Sequence, residues 1–273
     1  MKVKITGKTR ITGIFGYPVE HSLSPAMHNA AFNSLGLDYC YVPFTVRPGD
    51  LHDAVKAIRA LNFTGVNVTV PHKETVIPFL DEINEEASFI GAVNTIVNSN
   101  GTLKGYNTDG RGFMLSLSEN GVSLAGKNIL IIGAGGASRS IAYYLCQKSK
   151  RVTIYNRTRT RGEKIVRDLK KLYKNVSLQD SISHIEDFHL IVNATSVGLK
   201  KEDPAPFDTS SLKRNQIVFD LIYKRTRLLR EASRKGCKSI DGSGMLLCQG
   251  MLSFQLWTGK KPPREVMSKA FKP

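Results

Sequence analysis

Residues Asn128 to Arg161 read NILIIGAGGASRSIAYYLCQKSKRVTIYNRTRTR. An apolar run from Asn128 to Ile132 ends in Gly133-Ala134-Gly135-Gly136-Ala137, a helical segment follows from Ser138 to Gln147, and a second apolar run covers Val152 to Tyr155. Strand, glycine turn, helix, strand is the pattern of a dinucleotide-binding unit. A turn without Cβ atoms bends tightly and brings backbone N–H groups at a helix start close to a pyrophosphate. The third glycine of the usual G-x-G-x-x-G is Ser138 here, so the turn draws its weight from its context. At the end of the second strand, where an NAD site carries Asp or Glu, stands Asn156, followed by Arg157, Thr158, Arg159 and Arg161. A carboxylate would repel a ribose 2′-phosphate, whereas an amide, a hydroxyl and guanidinium forks can hold it. The pattern points to NADP rather than NAD, with Arg159 itself read as part of a solvated basic turn.

The 273 residues suffice for one large core or two smaller ones, and 41% hydrophobic with 23% charged residues is ordinary for a globular chain. No apolar run reaches membrane-span length, and the start MKVKITGKTR lacks the apolar segment of a signal peptide, so a cytoplasmic protein without a membrane partner is expected. Cys40, Cys146, Cys237 and Cys248 lie apart in apolar surroundings and read as buried thiols, with no disulfide framework and no metal site. A net charge of +16 favours anionic partners and requires nucleic acid to be considered. The cations are dispersed, however, denser only at Arg157 to Lys174 and Lys224 to Lys238, with no aromatic-interleaved RNA motif and no recognition-helix pattern. Small anionic ligands account for part of the charge, and a solvated basic surface for the rest.

Upstream, Ile11 to Phe15 reads as a strand, and Ser24-Pro25 as a hydroxyl N-cap with proline at the first helical position, opening a helix that ends near Gly36. Ser22 and Ser24 beside that helix start suit an anion. A strand from Tyr39 to Val46, a helix from Asp50 to Leu61 and a strand from Gly65 to Val70 alternate as in a parallel sheet. The last of these carries Asn67 and Thr69 at alternate positions, facing one way, and delivers Pro71-His72-Lys73 at its end. Lys73 is expected in the first turn of a following helix, where the positive end of the dipole disfavours a charged amine, while His72 reads as structural or exposed. Gly91 to Asn98 reads as a strand, Asn100-Gly101 as a two-residue hairpin turn, and Tyr106 to Gly112 as the opening of a helix stopped at Gly121. Thr108 or Asp109 suits that helix as a cap, and a carboxylate at Asp109 facing Lys73 would form a proton-exchanging pair. Leu190 to Gly198 and Gln216 to Tyr223 supply two further strands of the glycine-turn domain, and an apolar helix follows Asp241-Gly242. Gln249 within it contacts either a ligand or an internal partner.

Taken together, His21-Ser22-Leu23-Ser24-Pro25, Asn67 to Lys73, Gly91 to Thr95, Gly105 to Gly110, Gly133 to Ala137, Asn156-Arg157-Thr158 and Asn193 to Ser196 resemble, in order, the motifs of the shikimate dehydrogenase family over nearly the whole chain. The resemblance implies two α/β domains, a substrate-binding domain at 1–105 with 242–273 and a Rossmann NADP-binding domain at 106–241. The last helix would return to the first domain, leaving the active site in the cleft between the two. It further implies reduction of 3-dehydroshikimate to shikimate, a small-molecule substrate, with NADPH; no nucleic-acid partner is expected, and the chain is expected as a monomer or homodimer. Lys73 and Asp109 match the family's catalytic pair. Ser22 and Ser24 match its substrate-carboxylate contacts; Thr69, Asn94 and Gln249 match contacts to hydroxyl and carbonyl groups; Tyr223 matches another substrate contact, and Asn67 falls in the same motif. Gly133, Ala134, Gly135, Gly136 and Ala137 match the pyrophosphate turn, and Asn156, Arg157, Thr158 and Arg161 the 2′-phosphate site. Leu221 and Gly242 would lie near the nicotinamide, with Thr195 in a loop suited to nicotinamide or ribose. The sequence departs from the family after Tyr223, where a proline-containing stretch is shortened to Lys224-Arg225 before Thr226-Arg227-Leu228-Leu229, and mildly at Ser138 and Leu199. A quinate/shikimate dehydrogenase of broader use, or a non-catalytic NADP- or nucleic-acid-binding protein, are the alternatives.

Overall fold

A computed structural model describes residues 5–271. The chain forms two compact units, one running to Gly112 and resumed from Leu247, the other Phe113–Leu246. The first contains β1 (Arg10–Gly16), α1 (Ser24–Ser34), β2 (Tyr39–Thr45), α2 (Leu51–Ala60), β3 (Gly65–Val68), β4 (Glu82–Ile83), α3 (Glu85–Ile90), β5 (Thr95–Ser99) and β6 (Thr102–Tyr106); α4 (Asp109–Glu119) carries the chain across the boundary. The second contains β7 (Asn128–Ile132), α5 (Gly136–Lys148), β8 (Arg151–Tyr155), α6 (Arg159–Leu169), β9 (Val176–Leu178), β10 (Leu190–Asn193), β11 (Ile217–Asp220), α7 (Arg227–Arg234) and β12 (Lys238–Ile240). The boundary back to the first unit falls within α8 (Ser243–Thr258), and α9 (Arg264–Ala270) ends the described chain against α1.

The first sheet has the order β2-β1-β3-β5-β6-β4. β1, β2 and β3 are parallel, as their alternation with helices predicts, and β5 then runs antiparallel to β3 and pairs with β6 through the Asn100-Gly101 turn. Both turn residues have positive φ, the backbone that a two-residue hairpin matching the sheet twist requires. The amphipathic helix α2 buries Leu51, Val55 and Ile58, one stripe at helical spacing, into a cluster with Val66, Val68, Val93, Ile96 and Leu103. Elsewhere in the unit, Phe254 of α8 stacks with His28 and Phe32, and Trp257 packs at a tilt against His28 and Tyr41.

The second sheet is wholly parallel, with order β12-β11-β10-β7-β8-β9. Ile129 to Ile132 and Leu190 to Val192 are buried at every position, as strands covered by helices on both faces must be. The order reverses beside β7, so the switch point at the carboxyl ends of β7 and β10 lies where the glycine turn begins.

Several local expectations change. The strand expected at Gly65 to Val70 ends at Val68, and the one expected from Gly91 begins at Thr95. Gly91 is instead the left-handed C-cap of α3, a helix opened by the Asn84 side chain accepting from the Glu86 N–H. Lys73 does not start a helix: turns lead to a short 3₁₀ segment at Ile77–Phe79, since an α-helix through this stretch would bury the missing N–H and ring clash of Pro78 in its interior. The dipole expected to act on Lys73 is therefore absent. Ser24 does not cap α1 either. Leu23 occupies the N-cap position without a side-chain bond, and the Ser22 Oγ accepts from the Ser24 N–H at 3.3 Å.

Candidate active site

Lys73 and Asp109 meet across 36 positions of sequence: the Lys73 Nζ donates to the Asp109 Oδ2 at 2.6 Å. The side chains are 17% and 6% exposed, so the pair is largely withdrawn from water while the amine keeps an opening to it. Backbone bonds fix both ends, the Val93 N–H donating to the Lys73 carbonyl at 2.7 Å and the Asp109 N–H to the Asn107 Oδ1 at 3.0 Å. The second carboxylate oxygen, Oδ1, accepts from the Asn94 Nδ2 at 2.8 Å. Asp109 thus orients the lysine from the first turn of α4.

Behind the pair lies a buried polar network. The Asn94 Oδ1 accepts from the Thr108 N–H and from the Thr95 hydroxyl, each at 2.9 Å. Asn67, expected to face the same way as Thr69, is buried, whereas Thr69 is half-buried. The Asn67 Nδ2 donates to the Asn94 carbonyl at 3.0 Å and meets the Thr95 and Ser253 hydroxyls, while its Oδ1 accepts from the Tyr41 hydroxyl at 2.8 Å. The Ser24 hydroxyl is bonded to that of Tyr41, whose titration burial pushes well above the usual phenol range. His72 is buried, with its Nε2 on the Val46 carbonyl at 2.7 Å, a structural role.

Ser22, Thr69 and Gln249 are only half-buried. A Cβ on Gly16 would stand 2.4 Å from the Thr69 Cγ2, and one on Gly112 would stand 2.7 Å from the Gln249 backbone nitrogen. The second glycine lets α8 lie directly against the first turn of α4, which brings Gln249 near the helix that carries Asp109. Sequence reading did not single out Tyr41, Thr95 or Ser253. Thr95 stood within a quoted motif, and a serine inside an apolar helix was the available signal for Ser253.

In the second unit the glycine turn is built as expected. Gly133 has φ +116°, and a Cβ there would meet the Ala194 carbonyl oxygen at 2.8 Å, whereas nothing lies within 4 Å of a Cβ on Gly135. α5 opens at Gly136 with no side-chain cap and no acidic residue in its first turn. These features fit an anionic pyrophosphate. At the end of β8 the Asn156 Nδ2 donates to the Thr158 carbonyl at 2.8 Å, and Arg157, Thr158 and Arg161 are exposed. Arg159 is engaged by Glu163 and Asp180, in keeping with a surface role. At the neighbouring edge the Thr195 hydroxyl donates to the Asn193 Oδ1 at 2.7 Å, and Gly242 passes so close to Leu221 that a Cβ would overlap its carbonyl. Burial raises the Asp220 carboxyl above its usual range even though Thr226, Asn193 and the Ile222 N–H all donate to it. It ties the loop after β10 to the loop carrying Leu221 and Tyr223, and Tyr223 is half-buried with its phenol titration raised by burial. The shortened stretch after Tyr223 still delivers Thr226 as the N-cap of α7, its Oγ1 accepting from the Leu229 N–H at 3.3 Å.

Three family models match the chain in order: the shikimate dehydrogenase substrate binding domain over residues 14–96, shikimate / quinate 5-dehydrogenase over 116–227, and the shikimate 5'-dehydrogenase C-terminal domain over 242–270. A protein of Carboxydothermus hydrogenoformans named shikimate dehydrogenase (NADP(+)) is 43% identical over 98% of both chains. The chain belongs to the shikimate dehydrogenase family. A crystal structure of shikimate dehydrogenase from Aquifex aeolicus superposes with TM-score 0.94 at 40% identity, covering 99% of this chain and 100% of that one. The Thermus thermophilus enzyme solved with NADP(H) and shikimate gives TM-score 0.88 at 38% identity, covering 96% and 98%. The family's two-domain architecture and the chain's division into a mixed-sheet unit and a parallel-sheet unit agree, with the end of α8 belonging to the first unit. Among the described residues no helix is long and apolar enough to cross a membrane.

Proposed function

We propose that this chain catalyses the reversible reduction of 3-dehydroshikimate to shikimate with NADPH, as a cytoplasmic enzyme of aromatic amino-acid biosynthesis. The observation that carries the reading is the Lys73–Asp109 contact at 2.6 Å, with the carboxylate held on its other oxygen by Asn94. Reduction of a ketone leaves negative charge on oxygen, which needs a proton and a positive charge beside it. The Lys73 ammonium supplies both: its proton passes to the carbonyl oxygen as the C–O bond becomes single, and neutral Lys73 takes it back in the reverse direction. Asp109 keeps the amine aimed in either state. Ser22 and Ser24 at the start of α1 are assigned to the substrate carboxylate, and Thr69, Gln249 and Tyr223 to its oxygen substituents, whereas Asn94, matched by resemblance to a substrate contact, is buried and engaged on both sides of its amide and is assigned to holding Asp109. NADPH bound at the Gly133 to Ala137 turn supplies the hydride. Arg157, Thr158 and Arg161, with Asn156, are assigned to the 2′-phosphate, because no acidic residue stands there to repel it. The free, buried thiols of all four cysteines suit a reducing compartment.

The test follows the near-ultraviolet absorbance of NADPH with purified full-length protein, comparing shikimate with quinate and NADP with NAD. NADP reduction with shikimate alone is expected. Activity with quinate or NAD would move the chain to the broader quinate/shikimate branch, and a folded protein inactive with every pair would overturn the reading.

A further inference from the structure

We infer that the hydroxyls of Thr95 and Ser253 are positioning residues for the Lys73–Asp109 pair, acting through the Asn94 amide; the inference rests on the catalytic reading above. The amide orientations follow from groups whose roles are fixed. The Thr108 N–H can only donate, so the Asn94 atom 2.9 Å from it is Oδ1, and Nδ2 must face Asp109. The Asn94 carbonyl can only accept, so the Asn67 atom 3.0 Å from it is Nδ2, and Oδ1 is left for Tyr41.

The hydroxyl protons then have one arrangement that satisfies the two shortest contacts of Thr95, 2.9 Å and 2.8 Å. The Thr95 Oγ1 lies 2.9 Å from the Asn94 Oδ1, an acceptor, so Thr95 must donate there. Its 2.8 Å contact with the Ser253 Oγ therefore requires Ser253 to donate to Thr95. Were Ser253 to donate only to the Gln249 carbonyl at 3.1 Å, two lone pairs would confront each other in a buried site. Donors thus run from Ser253 through Thr95 to the Asn94 Oδ1, and from the Asn94 Nδ2 to Asp109. Asn94 is thereby held in the orientation that presents an N–H to the carboxylate and cannot turn its oxygen, an acceptor, towards it. Ser253 belongs to α8, 158 positions from Thr95, so the last long helix takes part in aiming the catalytic lysine.

The experiment compares Thr95→Val, which removes the hydroxyl with little change of shape, with Thr95→Ser, which keeps it, and Ser253→Ala. Thr95→Val is expected to lower kcat about tenfold or more, the scale of effect that misaligned catalytic groups produce, with KM for shikimate and for NADP little changed. Thr95→Ser should restore most of the rate, Ser253→Ala should lose part of it, and Thr95→Val should have no further effect on a Lys73→Ala background. A wild-type kcat in Thr95→Val, or a loss that Thr95→Ser does not recover, overturns the inference. If Thr95→Val does not fold, Ser253→Ala makes the same comparison and an unchanged kcat there decides against it. The two readings fail separately: full turnover in Lys73→Ala removes the catalytic reading, whereas loss in Lys73→Ala beside full turnover in Thr95→Val removes the positioning role alone.

Discussion

His28 gives the first unit an acid-sensitive centre whose size can be worked out. The ring is fully buried in α1, stacked 4.5 Å from Tyr41 at an interplanar angle of 9° and flanked by Phe32, Phe254 and Trp257, and neither ring nitrogen has a hydrogen-bond partner. Burial pushes its pKa down from 6.5 to about 3. The folded value is the depressed one, so the unfolded chain takes up the proton first. The stabilisation is complete above the unfolded pKa and is lost as pH falls from 6.5 towards 3. At roughly 1.4 kcal/mol per pH unit inside that window, moving from about pH 7 to about pH 4.5 should remove roughly 2–3 kcal/mol. Trp257, the single tryptophan, lies 5.3 Å from the ring and reports this unit's unfolding by fluorescence. Urea unfolding would be followed at several pH values for the wild type and for His28→Phe. Each protein is compared with itself, so the variant's packing offset and the titration of common carboxylates cancel. The wild type should lose roughly 2–3 kcal/mol more than the variant over this range. Parallel pH dependences in the two proteins would refute the assignment, and His28→Leu would serve the same purpose if phenylalanine overfills the site.

The remaining predictions concern chemistry and exposure. Lys73→Ala should lower kcat by about two to four orders of magnitude, the usual range for a lost general acid–base group, with a much smaller change in KM. Unchanged turnover would remove Lys73 from the mechanism. Arg157→Ala should raise KM for NADP about tenfold or more, as expected for a lost charge-assisted bond, and leave KM for NAD as it was; equal effects on the two cofactors would take Arg157 out of the 2′-phosphate site. All four cysteines are buried, and burial pushes the Cys146 thiol up to about 12. The native protein should therefore be inert to Ellman's reagent at about pH 8 and react only on unfolding, and rapid labelling of any thiol in the native state would contradict that burial.

The glycine turn, its flanking strands and the Asn100-Gly101 hairpin were legible because each needs a particular backbone that few residues supply. Two helices carried the same kind of signal without drawing notice. Asn84 followed by Glu85 and Glu86, with Gly91 beyond, marks α3, and Thr226 with Gly236 marks α7, which reads at first as a basic surface stretch. Both are short, and eight residues or fewer give a hydrophobic period little room to declare itself. β9 and β12, at three residues each, lie below any periodicity, and α9 follows the helix that looked like the end of the fold. The chain after β3 looks like a helix start at Lys73, but Pro78 five residues on excludes a regular α-helix there. The pairing of Lys73 with Asp109 could be guessed from chemistry, but the hydroxyls behind it could not. Asn67 and Ser253 are 186 positions apart, and nothing local marks a serine on an apolar helix as the partner of an asparagine on a strand.

That division between polar groups engaged with one another and polar groups left at the surface of the site gives the candidate residues different duties. Asn94 donates through Nδ2 to Thr108 and Asp109 and accepts through Oδ1 from Thr108 and Thr95, and Asn67 is satisfied within the fold in the same way. Buried amides so engaged are costly to disturb, because losing one partner leaves the other unsatisfied in a low-dielectric setting. Their contribution to a reaction is orientation, and it is exerted on Asp109 and, through it, on Lys73. Ser22, Thr69 and Gln249 retain partial exposure, which a residue must have to exchange water for a ligand. A dehydrogenase needs both kinds of residue. The proton donor must stay aimed within a fraction of an ångström while its charge changes, which favours a rigid, internally satisfied backing, whereas the groups that recognise the substrate must be accessible before it arrives. The first unit meets both demands with one mixed sheet and the end of α8: the strands deliver the amides, the chain after β3 delivers the lysine, and the helix closes the network from behind.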